Sequence, residues 1–166
     1  MSVAGLKFID HALIGKLHAD ALKSPRLRTH YNLHPTLTAP IHRMCMAMEP
    51  GTYVRPHRHP DKWELLVILT GDMLVLTFDD GGTVLTRTPL AAGGPTYGME
   101  TPAGTWHGVV TLAPVTVVLE CKPVPFQRPP EQDFAHWAPP EGDVRTGEFE
   151  RWYRDARPGE RPPAWP

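Results

Sequence analysis

Cysteine is scarce. Cys45 and Cys121 are the two thiols among 166 residues, too few for a disulfide framework and without the paired spacing of a zinc finger or ribbon. No apolar run exceeds the five residues 65–69, far short of the roughly twenty that a membrane-crossing helix needs. Neither sign of charge dominates: seventeen Lys+Arg oppose eighteen Asp+Glu, a net charge of −1. The basic excess by which proteins hold nucleic acid or anionic membranes is therefore missing. The first residues, MSVAGLKFIDHALIGKL, lack a continuous apolar stretch and a small-residue cleavage site, which argues against a secretory signal. The expectation is a cytoplasmic protein without nucleic-acid or membrane partners. With 41% hydrophobic and 21% charged residues, the chain has the make-up of one folded domain rather than of a disordered segment.

What is abundant is turn chemistry. Fourteen glycines and twenty prolines make up about a fifth of the chain, against a usual share of roughly 12%. Ile9, Leu13, Leu17 and Ala21 recur every fourth residue behind Asp10, a good N-cap, and predict a short helix that Ser24-Pro25 stops. A polar, extended arm follows. Short runs between turn signals then predict strands at 41–48, 52–55, 64–69, 73–78, 83–88, 96–100, 106–111 and 115–121. Eight strands at that spacing point to an all-β sandwich or barrel. From Pro123 onward lie ten of the prolines and no strand-like run. Phe149, Trp152 and Tyr153 mark one short helix there. The expected layout is a helix and arm over residues 1–40, a barrel over 41–122 and a Pro-rich extension over 123–166.

The chemistry concentrates in the stretch from Gly51 to Gly71. His57 and His59 are two apart, so on a strand both rings share a face. Glu64 opens the next strand and would return alongside them, and His107 follows the turn 101–104. Three nitrogens and one oxygen form a mixed, fairly hard donor set. It suits one divalent transition ion (Zn, Mn, Fe, Ni, Co or Cu) and leaves coordination positions open. The absence of thiolates argues against a closed structural zinc site. A lone His-x-His pair would more often be an ordinary pair of histidines; the added glutamate, glycines and third histidine favour metal.

These residues carry a resemblance. Gly51, His57, His59, Glu64 and Gly71 fill G-x5-H-x-H-x4-E-x6-G, which resembles the first motif of the cupins. Residues 102–107 are similar to the P-x-G-x-x-H core of the second, although its leading glycine is displaced and Thr111 stands where asparagine is usual. The resemblance implies a double-stranded β-helix, the cupin jelly-roll barrel, with metal held by His57, His59, Glu64 and His107. Segments 24–34, 53–65 and 134–142 also resemble the WbuC-type cupin-fold metalloproteins, a group tied by name to bacterial surface-polysaccharide gene clusters. A homodimer is the expected assembly.

Around that centre Arg55 shares strand parity with both histidines. On an unbroken strand it would reach the same cavity and clamp a carboxylate or phosphate. Arg26, Arg28, Asn32 and His34 alternate along the arm and offer a face for an anion or sugar. The other reading is an arm pairing with a neighbouring subunit, its arginines salt-bridged. Parity puts Trp63 and Trp106 on the face opposite the ligands, in core packing, and Met44, Met46 and Met48 on a barrel-lining face. Beyond the ligands, His34, His42 and Tyr31 are the nearest titratable groups, and no catalytic residue stands out. Two function classes follow: a metal-dependent isomerase, lyase or dioxygenase on a small polar or anionic, plausibly sugar-derived metabolite, or a non-catalytic small-ligand-binding cupin that senses or carries. Fold alone does not choose between them.

Overall fold

A computed structural model describes residues 5–123 and 130–165. Residues 124–129, the start of the expected extension, lie outside the described residues. Helix α1 (His11–Lys23) begins where Asp10 accepts the Leu13 amide at 2.9 Å and ends at Ser24. Strands β1 (Arg28–Asn32), β2 (Ile41–Met48), β3 (Glu64–Thr70), β4 (Asp72–Phe78), β5 (Val84–Ala91), β6 (Gly98–Thr101), β7 (Trp106–Thr111) and β8 (Thr116–Pro123) follow. Helix α2 (Thr146–Asp155) closes the chain. A large antiparallel sheet runs in the order β1-β2-β8-β3-β6 and a smaller one β5-β4-β7. The arm thus adds β1 to its own chain's β2.

The two sheets face each other around Met48, Leu66, Ile68, Met73, Val75, Leu90 and Val118. Their outer faces are covered too. Leu17 and Ala21 of α1 pack on Cys45, Ala47 and Val117 of the large sheet. Trp137, Phe149 and Tyr153 of the extension pack on Leu74, Leu76 and Phe78 of the small one. This explains why β4 reads as a nearly unbroken apolar run: both of its faces are buried. Gly71, at φ +76, makes the one-residue turn from β3 to β4, where an added Cβ would lie 2.7 Å from the Thr116 Cα.

The expected strand at 52–55 does not form. Pro56 and Pro60 lack the amide that a ladder requires. Beyond it, the segment pairs only through single bridges from His57 to His107 and to Phe134. The parity argument for Arg55 fails with the strand.

Candidate metal centre

The loop bearing His57 and His59 is held from both sides. His57 N–H donates to the His107 carbonyl at 3.0 Å, and His107 N–H returns the bond at 2.9 Å. On the other side Arg58 N–H meets the Asp133 carbonyl and Ala135 N–H the Pro56 carbonyl. Glu64 and His107 sit at the first position of β3 and near the start of β7, where neighbouring strands bring both to the barrel's interior. One potential donor atom from each of His57, His59, Glu64 and His107 lies within 4.8 Å of the others.

The donors are also correctly presented. Nδ1 of His57 lies 3.1 Å from the Arg55 carbonyl, and Nδ1 of His107 lies 3.0 Å from the Thr105 carbonyl. A carbonyl only accepts, so both Nδ1 atoms carry a proton, as in metal-ligating imidazoles; this leaves His57 Nε2 as a lone pair and turns His107 Nε2 toward Glu64. Glu64 stands between the rings, its carboxylate oxygens 3.1 Å from His107 Nε2 and 3.4 Å from His59 Nε2. His59 Nε2 is buried without a hydrogen-bond partner. A buried orphan nitrogen facing a carboxylate, with His57 Nε2 free and His107 Nε2 on that same carboxylate, fits a divalent cation well.

Electrostatics divides the ligands. Burial, with the charge of His107 beside it, pushes the His57 imidazole down to about 3. Burial works to lower His107 too, but its hydrogen bond to Glu64 outweighs this and raises it. Burial likewise works to raise Glu64, yet its hydrogen bond with His107, the His59 imidazole facing it and the Lys122 ammonium hold it well below the ordinary carboxylate value. Metal-free, Glu64 therefore favours the protonated form of His107, while His57 beside it favours the neutral form.

Two residues that sequence reasoning missed stand next to it. Lys122 Nζ lies 3.1 Å from Glu64 Oε1 and 2.6 Å from Glu120 Oε1. Burial and the Glu64 charge raise the Glu120 carboxyl, while its two carboxylate neighbours overcome burial and raise Lys122. The signal was present in the strand 115–121: Glu120 shares parity with Val118, a core residue. Charges near a strand's end ordinarily read as solvent-facing, and here they are not.

The centre opens into a cavity of about 500 Å³. His57, Glu64 and His107 lie at one end with Glu120 and Lys122, while Asn32, His34 and His42 line another part of the wall. Met44, Met46 and Met48 line it as expected, and Arg26 and Arg28 reach it from the arm. Both arginines already hold a carboxylate: Arg26 Nη2 lies 2.7 Å from Glu141, and Arg28 also binds Glu141 and the Tyr53 carbonyl. Arg55 is not among the lining residues. Its Nε donates to the Ala135 and Ala138 carbonyls at 3.1 Å, and its Nη1 pairs with Glu131. The expected anion clamp is thus a staple on the extension. Trp106 packs in the outer core and Trp63 is half-buried. Cys45 is buried and Cys121 half-buried, both free.

Comparison with known proteins adds the following. A family model described as a domain of unknown function (DUF6016) matches residues 9–90. No curated protein sequence matches the chain. The structure superposes on TT1209 from Thermus thermophilus with a TM-score of 0.52 and 17% identity, covering 71% of this chain and 97% of that one. At that identity the likeness is one of fold. The fold is an all-β, jelly-roll-like barrel of two antiparallel sheets. KdgF from Halomonas sp. superposes at 0.49 with 19% identity, over 63% of this chain and 84% of that one. A cupin superfamily protein from Desulfitobacterium hafniense superposes at 0.46 with 14% identity, over 58% and 77%. No helix among the described residues is long and apolar enough to cross a membrane.

Proposed function

We propose that this cupin is a metal-dependent enzyme acting on a small, polar, anionic metabolite. One divalent ion would be held by His57, His59, Glu64 and His107. The observation that carries the reading is their convergence within 4.8 Å at the end of a cavity. A divalent ion there supplies Lewis-acid polarisation of a bound oxygen. The chain's own residues do the rest. The Thr105 and Arg55 carbonyls fix the ring tautomers, Lys122 orients Glu64, and the methionine floor keeps bulk water from the ligand. Catalysis is favoured over simple carriage by Glu120 and Lys122, a buried acid–base pair beyond the ligands and within the same cavity. Asn32, His34, Arg26 and Arg28 are the proposed ligand-binding residues. The likeness of segments 24–34, 53–65 and 134–142 to WbuC-type proteins supports a place in surface-polysaccharide metabolism.

Elemental analysis of the freshly purified protein tests the centre. We expect about one divalent ion per chain and its loss in the His57→Ala/His59→Ala variant. Binding to the native state alone stabilises by roughly 4 kcal/mol at a thousandfold Kd. A chelator should therefore lower the wild-type Tm and scarcely move that of His107→Ala. Unchanged metal in the double variant would rule the ligand set out.

A further inference from the structure

Arg26 and Arg28, at the start of the arm, both line the cavity, as does His30. Between them the two arginines grip a single carboxylate. Arg28 Nη2 binds Glu141 Oε1, and Arg26 Nη2 binds Glu141 Oε2 at 2.7 Å. Each oxygen of the planar group thus meets its own guanidinium, which makes a two-armed carboxylate clamp. Arg28 Nη1 donates to the Tyr53 carbonyl at 2.6 Å. The clamp is thereby fixed to the loop that carries His57 four residues further on.

The group in the clamp comes from the extension, and other bonds already hold the extension there. Tyr53 Oη donates to the Pro139 carbonyl at 2.8 Å, and Arg55 Nε to the Ala138 carbonyl at 3.1 Å. Both bonds are buried and lie two and three residues before Glu141. The Glu141 side chain is 37% exposed and that of Arg26 62%, a setting in which an ion pair adds little stability. Nor do the charges match, since two guanidiniums face one carboxylate. The next acid along the chain, Asp143, accepts the Arg145 amide at 2.8 Å instead. Arg28, at 11% exposure, is the sheltered arm of the clamp, and Arg26 is the open one. An over-charged clamp on a cavity wall, with one arm open to solvent, suits an incoming anion.

We propose that Arg26 and Arg28 bind a carboxylate of the ligand at the arm end of the cavity, and that Glu141 occupies this subsite in the free protein and is displaced as the ligand enters. A carboxylate is favoured over a tetrahedral oxyanion because the clamp already closes on one, two oxygens to two guanidiniums. The subsite rests on the reading of the cavity as the pocket for a small anionic metabolite, and it involves none of the metal ligands. A tethered carboxylate competes from within the molecule, so ligand affinity is reduced by the fraction of time the clamp is free.

Calorimetric titration of the full chain, stripped of metal and dialysed free of chelator, tests it with glutarate as the probe and inorganic phosphate as the comparator. Glu141→Gln, nearly isosteric, should bind glutarate ten or more times tighter than wild type. Adding Arg26→Gln or Arg28→Met should abolish that gain. Glu148→Gln removes a charge that pairs with Arg145, away from the clamp, and should bind as wild type does. The Tm of each variant is read alongside, and Arg26→Gln, at an exposed side chain, carries the test should Arg28→Met loosen the loop. If Glu141→Gln binds glutarate no tighter than wild type, or keeps its gain without Arg26, the pair is only a strap on the extension. An equal gain in Glu148→Gln reduces the effect to net charge, and a larger gain for phosphate than for glutarate overturns the carboxylate. Metal uptake, measured separately by elemental analysis, decides the metal centre independently of all these outcomes.

Discussion

His57 and His107 sit on one centre, yet burial and Glu64 push them in opposite directions. His57 is depressed to about 3, so it binds a proton in the unfolded chain between that value and about 6.5 but not in the folded one. It therefore costs stability as pH falls below about 6.5. Glu64 is lowered, and its stabilising contribution, present above its unfolded value of about 4.5, is lost as pH falls through the folded one. His107 is raised; its contribution is complete below about 6.5 and disappears as pH rises through its folded value. The metal-free protein should accordingly be most stable near pH 6.5, with Tm falling on both sides. A Tm of chelated protein that rises steadily from pH 5 to 9 would contradict this. Metal must displace the His107 proton, so its affinity should climb with pH over the range where the alkaline decline sets in. In His107→Gln that decline should vanish. The four candidate metal residues, which the structure brings within 4.8 Å, were legible in the sequence through a His-x-His pair, a glutamate opening the next strand and a later histidine after a turn. Glu120 and Lys122 were not, since nothing local distinguishes a buried charge at a strand's end from a solvated one.

Strands were legible wherever glycine and proline bounded an apolar run, as β2 and β7 show, and misread at 52–55, a run of four residues that Pro56 follows directly. The loop from Tyr53 to His59 looks like a strand by alternation, but Pro56 within it and Pro60 after it lack the amides of a ladder. It is instead held by β7 on one side and by residues 133–138 on the other. Arg55 is the staple of that second side. Its pair with Glu131 counts for little, because the glutamate side chain is 79% exposed. The two carbonyls it satisfies are buried, and they matter more. Arg55→Met should cost about 2–3 kcal/mol and weaken metal binding by loosening the loop, without any specific effect on anion affinity at constant metal loading. Denaturant melts together with Mn²⁺ titration check this. A variant with wild-type metal affinity and weakened anion binding would return Arg55 to the cavity. Gly82 fixes the opposite contact of the extension. It sits at φ +85, and a Cβ there would come within 2.5 Å of the Trp137 ring. Gly82→Ala should destabilise by about 1–3 kcal/mol, measured by the same melts.

The whole molecule is a barrel clad on both faces, and the two claddings do different work. Helix α1 covers Cys45, Ala47 and Val117 with little more than Leu17 and Ala21 buried. None of the backbone bonds that hold the histidine loop comes from it. The extension buries Trp137, Phe149 and Tyr153 against the small sheet and also supplies the amides and carbonyls that hold the loop. Composition suggested a Pro-rich tail with one amphipathic helix packed outside, and that much was readable from Phe149, Trp152 and Tyr153. Its second role was not, because a backbone contact between residues about eighty apart leaves no trace in local pattern. Deleting residues 1–24 should therefore lower Tm while one metal ion per chain is retained. Deleting everything after Pro123 removes three large buried aromatics, each about 3–5 kcal/mol when truncated, against a typical domain stability of about 5–15 kcal/mol. It also exposes Leu74, Leu76 and Phe78 as one apolar patch. That form should lose metal and associate, seen by elemental analysis and by light scattering after gel filtration. If it stays monodisperse and keeps its metal, the extension is mere covering, and the histidine loop is fixed by β7 alone. The Gly82→Ala variant separates the two effects: it disturbs the packing of Trp137 but leaves the bonds from residues 133–135 to the loop in place. Its Tm should fall with metal stoichiometry unchanged.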